Sequence, residues 1–232
     1  MAEIKVAQQP QIEQPEVVER ARDFWGRYNR IIMAVGLAIV LVAGAYLIYK
    51  FLIQKPKEQK ASEAIFKAQQ YYAIDSFRLA LNGDGLNPGL LKIISNYGGT
   101  KSGELARFYA GASFLQSGDA ANAVKQLKEF STDSKPVQAR AYKLLADAYA
   151  ETGKNNDALD NYKKAAHAFE DDDQNASEYL FMAGYFASRV LNNKSEATTL
   201  FKELKEKYPR TQRGFEADKY LAQLGVYDTD KK

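Results

Sequence analysis

From Ile31 to Tyr49 the chain runs nineteen residues with no charge and no polar side chain other than tyrosine. A helix of that length, at about 1.5 Å per residue, measures about 28 Å, close to the hydrocarbon thickness of a bilayer. Phe51, Leu52 and Ile53 extend the run past Lys50, whose ammonium can reach the interface along its own stem. A core helix of a soluble domain would show a polar stripe at helical period, and this segment shows none. A cleaved leader has a short basic start and an apolar stretch of only about 7–15 residues before a small-residue site. Here the lead-in is long and of mixed charge, and no such site follows. The sequence therefore predicts an uncleaved transmembrane helix over 31–53. Trp25 and Tyr28 before it, with Tyr46 and Tyr49 at its end, suit interfacial aromatic belts. Its orientation is not legible from charge. Arg20, Arg22, Arg27 and Arg30 precede it, and Lys50, Lys55, Lys57 and Lys60 follow, four against four.

The span divides the chain. Residues 1–30 form a polar segment too short to fold alone; "QQPQIEQPEV" has two prolines and no hydrophobic period, and residues 1–15 read as disordered. Residues 57–232 suffice for one domain with its own core. Of the 32 basic and 29 acidic side chains, residues 1–54 hold six and five, leaving 26 against 24. That balance offers no basic footprint for nucleic acid. With no cysteine in the chain, disulfides, zinc–thiolate sites and a lipidated cysteine are excluded.

Beyond the span, "EQKASEAIFKAQQYYAIDSFRLAL" reads as one long helix, with Ile65, Ala68, Tyr72, Phe77 and Leu81 near helical spacing. "NGDGLNPG" is a loop, and "PGLLKIISNY" a short helix closed by Gly98 and Gly99. The chain then repeats itself. Gly118 and Gly153 are 35 residues apart, as are Ala123 and Ala158. Apolar residues follow each alanine four and seven positions on: Leu127 and Phe130, then Tyr162 and Ala165. Ala197, Phe201 and Leu204 make a third set. Earlier in each unit stand Gly111, Ala146 and Gly184, small residues expected to let paired helices approach closely, opposite Ala123, Ala158 and Ala197. Such pairs cannot close a core alone, so they stack. The period and the glycine turn make this a tetratricopeptide signature. The predicted fold is all-α: a single transmembrane helix, then a tetratricopeptide-like α-solenoid with a C-terminal capping helix in "YPRTQRGFEADKYLAQLGV". The repeats fall at about 104–137, 139–172 and 178–211. The third interval is longer, 39 residues from Ala158 to Ala197, and the excess is assigned to a loop over Glu170–Ser177.

Little in the chain suggests catalysis or a cofactor. His167 is the only histidine, so a nucleophile–base relay is hard to assemble; late in a helix, it suits a favourable dipole contact. Asp171, Asp173 and Asn175 alternate like the start of a calcium loop, but Ala176 and Met182 occupy the positions of its glycine and terminal glutamate. "GDG" at Gly83–Gly85 follows no strand and reads as a turn. The expectation is a non-enzyme with no cofactor or metal.

A repeat stack offers instead a concave face lined by the first helix of each pair. In that register the groove carries Phe108, Ala112 and Leu115, then Lys143, Asp147 and Glu151, then Tyr179, Met182 and Phe186. Aromatic and methionine side chains there would suit loose binding of extended or partly folded chains; the alternative is that they pack against the protein's own helices. The lead-in "RARDFWGRYNR" with its span, and "FRLALNGDGLNPGLLKIISNYGGTKSGELARFYAGASFLQSGDAANAVKQLKEF" with its "Y-x-x-T-x-x-x-x-LA" and "A-x-F/Y-YAG" elements, resemble the YfgM-like family of ancillary Sec-translocon subunits. The likeness covers roughly 16–225. It implies a cytoplasmic N-terminus at the inner membrane and a periplasmic repeat domain. It also implies association with Sec translocon subunits and a membrane-anchored periplasmic prolyl isomerase or chaperone, and carries over no catalytic residue. Taken with that resemblance, anchor and repeats imply a non-catalytic binding module at the export channel, one that holds emerging polypeptides or recruits periplasmic chaperones through its groove. The alternative is a scaffold that assembles an envelope complex without touching clients.

Overall fold

The computed structural model describes residues 16–227; the expected disorder of residues 1–15 lies outside them. The chain divides into two compact units, one ending at Lys55 and one beginning at Pro56.

In the first unit, helix α1 (Glu16–Ile48) is followed by a π-helical turn over Tyr49–Gln54. The Lys55 amide donates to the Lys50 carbonyl, five residues back. The turn lies just before Pro56, which cannot donate to an ordinary helical ladder. The apolar stretch of α1 is long enough to cross a membrane, and none of it is buried within the protein. Phe24 and Tyr28 pack ring to ring at 4.9 Å, and Lys50 and Lys55 lie over the rings of Tyr46 and Phe51.

The second unit is helical, with no strand among the described residues. It opens with α2 (Lys55–Ala73), α3 (Phe77–Asn82) and α4 (Leu90–Tyr97). The single long helix expected over α2 and α3 is broken at Ile74–Ser76. Asp75 takes φ 56°, and the Ser76 amide donates to the Tyr71 carbonyl at 2.9 Å, a left-handed helix end of the kind glycine or asparagine usually supplies. The break turns α3 back, so that Ala80 and Leu81 join Ile65, Ala68, Leu90, Ile93, Ala106 and Ala110 in one apolar cluster.

Three helix pairs and a cap follow: α5 (Lys101–Gln116) with α6 (Ala120–Glu129), α7 (Lys135–Glu151) with α8 (Asn155–Ala168), α9 (Asp173–Arg189) with α10 (Lys194–Lys207), and α11 (Gln212–Gln223). Gly118 (φ 78°), Gly153 (φ 73°) and Asn192 (φ 53°) reverse the chain inside the three pairs. Only glycine enters this region freely, and asparagine is the least costly substitute. Asp119 and Asn193 cap the following helices by accepting from the amides of Asn122 and Glu196. Lys154, at the same place in the middle pair, has no oxygen to offer and makes no cap.

Ala123, Ala158 and Ala197 are all fully buried, as close helix pairing requires. The glycines opposite do something more specific than leave room for those alanines. A methyl built on Gly111 would fall 2.4 Å from the Leu127 Cγ, and one on Gly184 3.0 Å from the Phe201 ring. Each glycine thus seats the large side chain one turn beyond the alanine. Phe201 in turn stacks on Tyr220 of α11 at 5.2 Å, which closes the core at that end.

The longer third interval does not form a loop insertion. Helix α8 has 14 residues against 10 in α6, so the excess is mainly an extra helical turn. Only Phe169–Asp172 separate α8 from α9. Asp172 caps α9 through the Asn175 amide, and Ala176, expected on a solvated loop, is 1% exposed inside that helix.

Candidate functional site

Helices α5, α7 and α9 are the first members of their pairs, and their shared face holds a cleft of about 420 Å³. Phe108 and Tyr109 of α5, Val137 and Arg140 of α7, Phe169 after α8 and Tyr179 of α9 form much of its lining. Phe108 is only 7% exposed. Its ring sits 5.6 Å from both Tyr109 and Phe130, so it is a fixed wall rather than a projecting side chain. Burial pushes the Tyr179 phenol up, and the nearby Arg140 charge opposes that. Arg140 itself is exposed and has no ion-pair partner among the described residues.

Further along the same face, Lys143 and Asp147 pair at 2.7 Å, and the Tyr162 hydroxyl donates to the other Asp147 oxygen at 2.7 Å. Burial first, and the Asp147 charge second, push the Tyr162 phenol far up, so it is a hydrogen donor at any ordinary pH. Its ring lies 5.5 Å from Phe186. Charges here are satisfied within the domain, and Phe186 is held by its own neighbours.

Of the groove residues expected from sequence, Phe108 and Tyr179 line the cleft. Lys143, Asp147 and Phe186 join through Tyr162 into a second cluster. Leu115 and Met182 are half-buried against the core, and Glu151 is exposed at the end of α7; none of the three lines the cleft. Sequence reasoning missed Arg140, Val137 and Phe169. One helical turn back from Lys143 along the same face leads to Arg140, so that signal was available. Phe169 carried no such mark, because it belongs to a connection and not to a first helix.

The acidic segment and the lone histidine meet at the C-terminal end of α8. His167 Nε2 lies 2.8 Å from Glu203, and its Nδ1 2.7 Å from the Lys163 carbonyl. Glu170 completes a set of three side chains with donor atoms within 4.8 Å of one another. The Lys207 ammonium already sits 2.9 Å from Glu170 and 3.1 Å from Glu203. Burial works against ionised Glu203, yet hydrogen bonds from His167 and Lys207 hold it below its usual range, while Glu170 and Glu203 raise Lys207. A lysine occupies the place a metal would need, so the set is an ion cluster fastening α8 to α10. The alternating residues Asp171, Asp173 and Asn175 do not form a calcium-type loop either, because the last two are already helical.

A family model for a tetratricopeptide repeat-like domain matches residues 22–168. The chain belongs to this family, and the match runs from the apolar helix to the end of α8. Neither a curated protein nor a solved structure matches it. Domains of this class are protein–protein interaction modules and typically non-catalytic. This one has a cleft lined by the first helices of its pairs.

Proposed function

We propose that the protein is a membrane-anchored binding module of the YfgM-like kind. Its N-terminal segment would lie in the cytoplasm, residues 31–53 in the inner membrane and residues 57–232 in the periplasm. There it holds emerging polypeptides at the Sec channel, or recruits a periplasmic chaperone or prolyl isomerase. The observation that carries this reading is the cleft between α5, α7 and α9, with aromatic walls and the charged side chains of Arg140 and Asp172 in its lining. Aromatic surface tolerates many side chains, and a single arginine orients a chain without demanding one sequence. Tyr179 and Phe108 are the contact residues at the cleft; Lys143, Asp147 and Phe186 extend the surface.

The scaffold reading rests on a different observation. Lys143, Asp147, Tyr162 and Phe186 satisfy one another, which suits one fixed partner better than varied clients. A photoreactive side chain at Tyr179 in living cells separates the two. Many nascent secreted proteins are expected in the crosslinks, and a single folded partner would establish the scaffold instead. A reporter fused after Lys232 should be active on the outer side of the membrane. Activity in the cytoplasm would overturn the periplasmic assignment.

A further inference from the structure

The first turns of α1 lie before the uncharged run, and there the residues sort by face. Val18, Ala21, Trp25 and Tyr28 recur at alternating steps of three and four along one side, and all four are exposed. The charged residues of the same stretch, Glu19, Arg20, Arg22, Asp23, Arg27 and Arg30, fall off that line. Phe24 leans on Tyr28 at 4.9 Å and widens the apolar side.

The same steps continue without a slip into the uncharged run, at Ile32, Val35, Ile39, Val42 and Tyr46. Periodicity says little where every residue is apolar, but shape does. Val35, Ile39, Val42 and Tyr46, with Ala38 and Ala43 beside them, line an apolar groove of about 550 Å³ on this side. The face marked by charge outside the span is therefore the face grooved within it. A seven-residue repeat held from Val18 to Tyr46 has the 3.5-residue period of helices wound on each other. A straight helix against a flat surface would drift from that period by about 20° per heptad.

A bilayer cannot cover the whole of this face. Helix α1 is unbroken from Glu16 to Ile48, so Val18 stands about 20 Å beyond Ile31 along the helix axis. The face therefore calls for a helix that is apolar both outside and inside the membrane, over the same length and in the same order, and a second copy of this chain carries one. We propose that α1 pairs in parallel with α1 of a second copy through this face. This rests on the reading of α1 as the membrane anchor. Two copies anchored in the same direction set each residue of the face beside its counterpart at the same depth, and Ala38 and Ala43 let the backbones approach. Of the charged residues only Arg22 borders the face, so pairing buries no charge. Sharing one membrane raises the effective concentration of the two helices, so a modest contact suffices.

Because the chain has no cysteine, single cysteines report on pairing without background. Full-length chains carrying Val18→Cys, Ala21→Cys or Trp25→Cys are oxidised in phospholipid vesicles, beside chains carrying Glu19→Cys, Asp23→Cys or Arg27→Cys. The first set should give about tenfold more disulfide dimer, since Cα atoms more than about 7 Å apart cannot be bridged. Ala38→Phe with Ala43→Phe fills the groove and should weaken association about tenfold, read by fluorescence transfer between labelled copies. Leu37→Phe with Leu41→Phe, on the opposite side of the helix, should leave it unchanged; both double variants keep the span apolar. Equal trapping of the two sets, as a lipid surface or a different helix on this face would give, overturns the proposal, and so does association indifferent to the filled groove. Alkaline extraction of the membranes reads the anchor separately. Retention with equal trapping refutes pairing alone, and release with trapping confined to the face refutes the anchor alone.

Discussion

Gly111 offers the sharpest test of how the helix pairs are built. A Cβ there would lie 2.4, 2.8 and 3.1 Å from the Cγ, Cδ2 and Cδ1 of Leu127. Carbon atoms pack best at about 3.5–4.0 Å, so Leu127 would have to retreat by about 1 Å. It has nowhere to go, being 3% exposed in the central cluster. Overpacking of this kind costs about 1–3 kcal/mol. Against it, alanine gains about 1 kcal/mol over glycine within a helix. Gly111→Ala alone should therefore destabilise by about 0–2 kcal/mol. Leu127→Ala removes the obstructing branch, at its own cost of about 2–5 kcal/mol. In that background the same Gly111→Ala change should stabilise by about 1 kcal/mol. The coupling of about 1–3 kcal/mol lies within the range for contacting residues. Urea unfolding of residues 56–232, followed by far-UV circular dichroism, measures all four corners of the cycle. Equal stabilisation by Gly111→Ala in both backgrounds would refute the close seating of Leu127.

Three further outcomes follow from local geometry. Lys154→Asp should supply the cap missing from α8 and raise stability by about 1 kcal/mol, less a little for the lost contact of Lys154 with the Tyr149 ring; an unchanged urea midpoint would argue against the cap. Glu58 of α2 accepts from the amides of Lys101 and Ser102 and from the Ser102 hydroxyl, so it caps α5 from another helix. Glu58→Ala should cost about 1–2 kcal/mol and speed hydrogen exchange at those two amides, and unaltered exchange would count against it. The Asp84 carboxyl lies well below its ordinary range, held first by the Asn87 amide and then by the Tyr71 hydroxyl. Because its folded value is depressed, its contribution is complete above about pH 4, the unfolded value, and is lost as pH falls through the folded one. The ordered state of the Leu86 loop, followed by NMR, should persist to about pH 4 and give way only below it; loss above that pH would contradict the assignment.

The apolar helix and the pairing of α5 with α6 and α7 with α8 were legible in the residues because both depend on local periodicity. Nineteen uncharged residues make a helix long and apolar enough to span a membrane. Gly118 and Gly153 mark turns that need positive φ, and Ala123, Ala158 and Ala197 mark the points where helices touch. What tertiary structure alone decided involves residues distant in sequence or ambiguous in character. The acids after α8 read as a loop, yet Asp172 caps a helix that buries Ala176; a polar helix start and a polar loop have the same composition. The break at Asp75 carries no glycine or proline, and it forms because turning α3 back buries Ala80 and Leu81. Glu58 caps a helix begun 43 residues later, a partnership no spacing rule announces. The cleft assembles from α5, α7, α9 and the end of α8. Its width depends on lateral distances between stacked pairs, which packing sets and periodicity along one strand of sequence does not encode.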